Sequence, residues 1–215
     1  MRFVKTLGIF KVFYPSMIWR MPKTGEKCVY LTFDDGPHPT ITPQVLDILR
    51  HHNAKATFFC VGNNVRKFYE TFEMVKKEGH SVGCHTYNHE NGWKTNTNDY
   101  VKSVIKANKL INSNLIRPPH GKIRYSQLRK LQRFYSSGVN GAPLKFVAWT
   151  IIAYDWDHDI TPEQVYQNVV RNVCNGAIIV LHDSEKAYAN MISALPRILE
   201  FLNENGFRFG TINEQ

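Results

Sequence analysis

Short apolar runs alternate along this chain with longer stretches whose apolar residues recur every three or four positions. Residues 28–33, 56–60 (ATFFC) and 177–181 (AIIVL) are nearly unbroken apolar runs bounded by polar or turn residues, the signature of buried strands. Shorter strands are expected near 81–84, 115–117, 145–152 and 207–211. Helical spacing fills the intervals. The stretch 42–52 reads as a helix with Thr42 placed to cap it and Pro43 in its first turn. Val65, Phe68, Phe72 and Val75 mark one face of a helix over 65–78 that Gly79 ends. Further helices are expected over about 98–111, 126–134, 161–173 and 189–205, the third with Pro162 in its first turn. About seven strands alternating with helices imply an α/β fold of parallel strands joined by helical crossovers. A closed barrel and an open doubly wound sheet share that pattern, and both place their chemistry at the C-terminal ends of strands.

The unusual residues fall at those ends. Asp34 and Asp35 follow the first strand, His85 and His89 the third, and Arg117, Pro119 and Gly121 the fourth. Asp155 and Trp156 follow the fifth, and Leu181, His182 and Asp183 close the sixth. Two imidazoles four residues apart on a helical turn share one face and can share a metal. Alone, H-x-x-x-H fits a surface or core pair better than a metal site. With Asp35 added, the set becomes two imidazoles and one carboxylate, which leaves positions open as catalytic zinc sites do. Asp34 is then free to accept a proton from water, with Arg117 as the partner that keeps it charged and oriented. A structural salt bridge is the plainer reading of Arg117. His182 is placed to act as an acid across the site, or simply to bond backbone at its strand end. Asp155 can orient either His182 or Arg117, and beside histidine it would favour the protonated ring.

Composition narrows the class. A chain of 215 residues with 43% hydrophobic content suits one domain with a sizeable core, or a domain with a small appendage. The net charge of +9 invites anionic partners. No zinc-finger spacing or helix-turn-helix signature is present, so nucleic acid is not an expected partner. Cys28, Cys60, Cys84 and Cys174 are scattered without a C-x-x-C pair and read as free thiols. Residues 1–24 stand apart from the domain expected over 25–215. Within 1–23, Arg2, Lys5, Lys11, Arg20 and Lys23 occur with no acid, among Phe3, Phe10, Phe13, Tyr14 and Trp19. That mixture suits contact with an anionic membrane surface, or packing on the outside of the domain. Lys11 and Pro15 interrupt any signal-peptide core and no Ala-x-Ala site follows. The expected location is therefore cytoplasmic, or peripheral to the inner membrane face.

Taken together, the motifs resemble the NodB-type polysaccharide deacetylases, carbohydrate esterase family 4, over roughly 25–212. TFDDGP (32–37), GHSVGCHTYNH (79–89), RPPHG (117–121), the Asp155–Trp156 pair and LHD (181–183) match the family's five motifs in order. The resemblance implies a distorted (β/α) barrel with about seven parallel strands and one divalent metal ion, usually zinc, with cobalt or nickel accepted. By resemblance, Asp34 is the catalytic base, and Asp35, His85 and His89 hold the metal. Arg117 orients the base, His182 is the general acid and Asp155 tunes its charged neighbours. The backbone N–H of His120, beside Pro119, helps bind the oxyanion, and Trp156 and Leu181 wall the pocket for the acetyl methyl. The implied reaction is hydrolysis of N-acetyl groups on an amino-sugar glycan: peptidoglycan, a chitin-like oligosaccharide or a glycolipid precursor. The alternatives are an O-acetyl or non-sugar amide hydrolase, and a glycan-binding pseudoenzyme. His120 stands where the family usually has tyrosine, Ile152 where many members carry another acid, and Cys84 lies next to a metal ligand. Loops 91–97 and 136–143 are expected to shape the substrate groove.

Overall fold

A computed structural model describes residues 3–6, 8–22, 25–136 and 143–212. Its centre is β2 (Cys28–Asp34), which pairs in parallel with β3 (Ala56–Cys60) on one side and β8 (Ala177–His182) on the other. From β3 the sheet continues through β4 (Ser81–Cys84), β5 (Leu115–Ile116) and β6 (Lys145–Val147) to β1 (Met17–Ile18). Beyond β8 lies β7 (Ile151–Ile152), and β9 (Arg208–Phe209) also pairs with β2. These nine strands of the described residues pair only in parallel, so each crossover is long enough to carry a helix. The helices are α1 (Gly8–Phe13), α2 (Ile41–His51), α3 (Gly62–Lys67), α4 (Tyr69–Lys77), α5 (Thr97–Ile111), α6 (Tyr125–Phe134), α7 (Pro162–Val170) and α8 (Tyr188–Glu204).

The expected strand over 145–152 is in fact two, because its halves serve different neighbours. β6 bonds to β5 and β1, whereas β7 bonds to β8. Between them Ala148 N–H donates to Ile18 O at 2.8 Å and Thr150 N–H to Ile178 O at 2.9 Å. This one stretch thus meets both ends of the sheet, and it curls the strands into a distorted (β/α) barrel. The helix expected over 65–78 is also two. Phe68 leaves helical geometry (φ −124°, ψ 50°), and α3 begins earlier, at Gly62. A Cβ at Gly62 would lie 2.7 Å from the Ala107 Cβ, and its N–H bonds Thr86 O at 2.9 Å. That bond ties α3 to the loop carrying His85 and His89. Thr42 does not cap α2, whose N-cap position is Thr40.

Strand alternation splits the apolar residues into two sets. Val29, Leu31, Phe33, Phe58, Ile116, Phe146, Ile179 and Leu181 pack with the helices in the main core. Tyr30, Phe59, Leu115, Val147 and Ile178 form a second cluster, one residue from each of five strands, filling the barrel. Thr32, Asp34, Arg117 and His182 share the parity of this inner set and sit above it. All four cysteines are free, and Cys60 and Cys84 are buried. Residues 14–22 run along the barrel, where β1 extends the sheet and Met21 N–H bonds Gly176 O at 2.9 Å. No helix among the described residues is long and apolar enough to cross a membrane.

Gly83 is where this packing reaches the site. A Cβ there would stand 2.6 Å from the Phe59 ring, and Arg117 lies over that ring with its guanidinium carbon 4.1 Å from the centroid. Gly83→Ala is therefore expected to cost about 1–3 kcal/mol through overpacking, measured by urea denaturation, and to displace the ring under Arg117.

Candidate active site

Asp34 ends β2 directly beside His182 at the end of β8, so parallel register alone makes them neighbours. Arg117, fully buried, reaches across from the end of β5. Its Nη1 donates to Asp34 Oδ1 at 2.7 Å and to Thr32 Oγ1 at 2.6 Å, and its Nη2 to Ala148 O at 3.0 Å. Burial pulls the guanidinium's pKa down, and the Asp34 carboxylate pulls it back up. A guanidinium so deeply buried needs a carboxylate partner, and it holds one Asp34 oxygen in place. The other oxygen, Oδ2, stands 3.9 Å from His85 Nε2 and faces the next group of residues.

Asp35 turns away from the strand with φ 80°, and the Gly36–Pro37 peptide after it is cis. Three bonds hold this turn. Asn64 Nδ2 donates to Asp35 O at 2.8 Å, Gly36 N–H to Asp183 Oδ1 at 3.1 Å, and the Thr42 hydroxyl to Asp183 Oδ2 at 2.5 Å. A Cβ at Gly36 would lie 2.1 Å from the Asp183 carboxylate. His85 and His89 do not lie on a helical turn. They bracket a loop in which Thr86 (φ 63°) and His89 (φ 60°) are left-handed, and this curl brings the two rings to 5.1 Å between centroids. Its shape is fixed by Tyr87 N–H to Ser103 Oγ at 2.9 Å and Glu90 N–H to Thr86 Oγ1 at 3.0 Å.

One ligand atom from each of Asp35, His85 and His89 lies within 4.8 Å of the other two. His89 Nε2 is 3.1 Å and His85 Nε2 3.7 Å from Asp35 Oδ1. That oxygen is buried and makes no hydrogen bond, so the short approach to His89 is not aligned as one. A buried carboxylate oxygen without a donor, facing two ring nitrogens, is a donor set suited to a cation. The protonation states agree. Burial lowers His85 to about 4 against the pull of Asp34, so the ring is neutral, and its Nδ1 contacts Arg117 O at 2.7 Å. Nε2 is then the free lone pair. Burial alone would raise Asp35, but the close approach of His89 and the charges of His182 and His85 hold it well below the usual carboxylate range. The three residues fit a divalent metal.

On the opposite side His182 shows the reverse shift. Burial disfavours its charged form, yet the Asp155 carboxylate, followed by those of Asp35 and Asp34, raises it to about 9. Asp155 is fully buried and accepts twice from one residue: His182 Nδ1 at 2.9 Å and the His182 backbone N–H at 2.7 Å. This leaves Nε2 toward the site. Trp156 packs edge-on against the imidazole at 4.6 Å. Pro119 is buried and opens the short turn 119–121, in which His120 has φ 58°.

Two expectations change. Leu181 belongs to the helix-facing core with Phe33, because adjacent strand residues point to opposite faces; Val180 shares the face of His182 instead. And His120 contributes more than backbone, since its imidazole stands edge-on to that of His89 at 4.6 Å. Sequence reasoning gave no role in the site to the residues that hold others: Asp183 and Thr42 behind the DDGP turn, Asn64 on Asp35 and Thr32 on Arg117. Asp183 carried one signal, a carboxylate just past a wholly apolar strand. Burial, with Asp35 nearby, pushes its pKa up to about 7 despite the Thr42 hydroxyl.

This geometry defines a parallel α/β barrel with a carboxylate–imidazole metal site at its mouth. The model of the polysaccharide deacetylase family matches residues 21–135. A Bacillus cereus peptidoglycan-N-acetylglucosamine deacetylase is 35% identical over 191 residues, covering 86% of this chain and 66% of that protein. A second from the same organism is 34% identical over 201 residues, covering 91% of each. The crystal structure of the Bc1960 peptidoglycan N-acetylglucosamine deacetylase, in complex with a naphthalenyl N-oxidanyl-benzamide, superposes with a TM-score of 0.83 at 32% identity, covering 94% of each chain. The chain belongs to the polysaccharide deacetylase family, carbohydrate esterase family 4.

Loss of either imidazole leaves too few donors for tight binding. His85→Ala and His89→Ala are expected to lose bound metal, read by elemental analysis after dialysis, while His182→Ala retains it.

Proposed function

We propose that this chain hydrolyses N-acetyl groups from amino-sugar residues of a glycan, releasing acetate and leaving a free amine. The observation that carries this reading is the arrangement of Asp34 and His182 on either side of the Asp35–His85–His89 set. A proton acceptor, a cation site and a proton donor meet at one place. We further propose zinc as the ion, since two imidazoles and one carboxylate with open positions suit it. When bound, such an ion supplies a Lewis acid that polarises the amide carbonyl and acidifies water.

The chain's own groups do the rest. Asp34 Oδ2, facing the cation site, accepts the proton of the attacking water. Arg117 on Oδ1 keeps the carboxylate from rotating away. The N–H of His120 donates to the oxyanion, and one such donor is worth about 3 kcal/mol in other hydrolases. His182 Nε2 then delivers its proton to the departing nitrogen, and Asp155 keeps that proton in place until it is needed. Val180 and Trp156 give the acetyl methyl an apolar wall. An imidazole that Asp155 holds protonated supports amide over ester hydrolysis, because an amine leaves only once protonated whereas an alcohol leaves more readily. The relatives named for peptidoglycan N-acetylglucosamine support an N-acetylated amino sugar as the substrate class. With base, donor set and acid all present, the residues favour catalysis over a binding-only role.

Acetate release by zinc- or cobalt-loaded protein from chitooligosaccharides, peptidoglycan fragments and O-acetylated xylan tests the reading. Release from an N-acetylated glycan is expected, falling about 10²–10⁴-fold in His182→Ala and less on the O-acetyl substrate. No release from any N-acetylated glycan by metal-loaded protein would contradict it. The pH profile gives a second check. His182 serves as an acid only while protonated, so activity falls as pH rises through its pKa. Asp155 raises that pKa, and Asp155→Asn should move the alkaline limb of kcat to lower pH.

A further inference from the structure

Beside the proposed catalytic groups lies a cavity of about 320 Å³ that the reaction on an acetyl group does not use. Its walls are mainly aromatic and aliphatic: Phe3, Tyr14, Met17 and Trp19 from the N-terminal segment, and Trp93 and Trp149 from the barrel. His120 lines the end nearest the metal set, with its ring against His89. Tyr154 lines it too and packs at a tilt against Trp156, 5.2 Å between centroids, and Trp156 touches His182. The cavity therefore opens where a substrate's reacting sugar would lie.

Aromatic walls can stack on a sugar ring, but the hydroxyls that line this cavity already donate to backbone carbonyls: Thr6 Oγ1 to Trp149 O, Tyr14 OH to Ile123 O and Tyr154 OH to Phe3 O. That leaves few neutral partners for a second sugar's hydroxyls. The polar residues on its lining include two cations, Lys5 and Lys122, with Lys122 Nζ 5.4 Å over the Trp93 ring. No carboxylate lines it. An apolar hollow with cations and no acid complements an apolar chain attached through an anionic link. The neighbouring surface points the same way. Helix α1 joins the two stretches of chain that wall the cavity, and its Ile9, Val12 and Phe13 are 54%, 73% and 67% exposed beside Lys11. A short apolar ridge with lysines suits the interface of an anionic bilayer, where a lipid-borne substrate would be met.

We propose that the cavity holds the proximal part of a lipid chain, joined through phosphate to the amino sugar that is deacetylated. The inference rests on the deacetylase reading and narrows its substrate to a lipid-borne amino sugar. Lys5 and Lys122 meet the phosphate, and the aromatic walls take the first segment of the chain.

Dodecyl phosphate is the simplest probe, and three of the four tryptophans line the cavity. Below its micelle concentration it is expected to shift tryptophan emission saturably, with at least tenfold weaker binding in Phe3→Asp and in Lys122→Glu. In turnover, kcat/KM for the dodecyl phosphodiester of N-acetylglucosamine should exceed that for chitotetraose at least tenfold. That ratio should drop about tenfold in Phe3→Asp, with chitotetraose turnover showing that the variant is folded. An emission change seen only above the micelle concentration, or a ratio that Phe3→Asp does not alter, would overturn the inference. Deacetylation of chitotetraose without preference for the phosphodiester would sink this inference alone. Saturable dodecyl phosphate binding with no turnover of either substrate would instead sink the deacetylase reading and leave the cavity assignment supported.

Discussion

Arg117 is the residue on which the two halves of the site depend. Its guanidinium is wholly buried, stacked on Phe59, and shared among Asp34, Thr32 and the carbonyl of Ala148. Its own carbonyl contacts His85 Nδ1. One residue therefore fixes the proposed base through its side chain and a metal-set imidazole through its backbone. A buried guanidinium is costly unless each of its donors is used, and here the barrel wall supplies the acceptors. Removing the side chain would leave Asp34 buried without its cation, a larger penalty than the loss of one contact.

The adjacent aspartates are made different by where they point. Asp34 stays in strand geometry, inside the barrel and against Arg117. Asp35 turns through a left-handed φ toward His85 and His89, and its turn is anchored from behind by Asp183. The same separation operates on the histidines. Burial makes His85 a neutral donor, whereas Asp155 makes His182 a cation in spite of burial. Groups of one chemical type are thus set to opposite tasks by neighbours a few ångströms away, which is how a single pocket can both take and give protons near neutral pH.

Much of this was legible in the order of residues along the chain. Apolar runs located the strands, and the rule that chemistry gathers at strand ends located Asp34, Asp35, Arg117, Asp155 and His182. What could not be read was set by contacts distant in sequence. The split of 145–152 arises because Ala148 and Thr150 bond to strands from opposite ends of the chain. The metal pair was expected on a helix because four-residue spacing fits one, but Ser103 and Thr86 hold a loop that achieves the same proximity. Leu181 was expected in the pocket by its neighbourhood to His182, yet in a strand the immediate neighbour is the residue that faces away. The supporting shell of Asp183, Thr42, Asn64 and Thr32 has no spacing signature, since each member comes from a different element.

The division of labour between Asp34 and Asp35 is the claim on which the rest stands. Metal content and acetate release, measured side by side on Asp34→Asn and Asp35→Asn, test it most directly. Asp34→Asn should keep its metal and lose nearly all turnover, whereas Asp35→Asn should lose the metal and with it the turnover. Equal metal loss in the two variants, or full turnover in Asp34→Asn, would contradict the assignment of distinct roles to the pair.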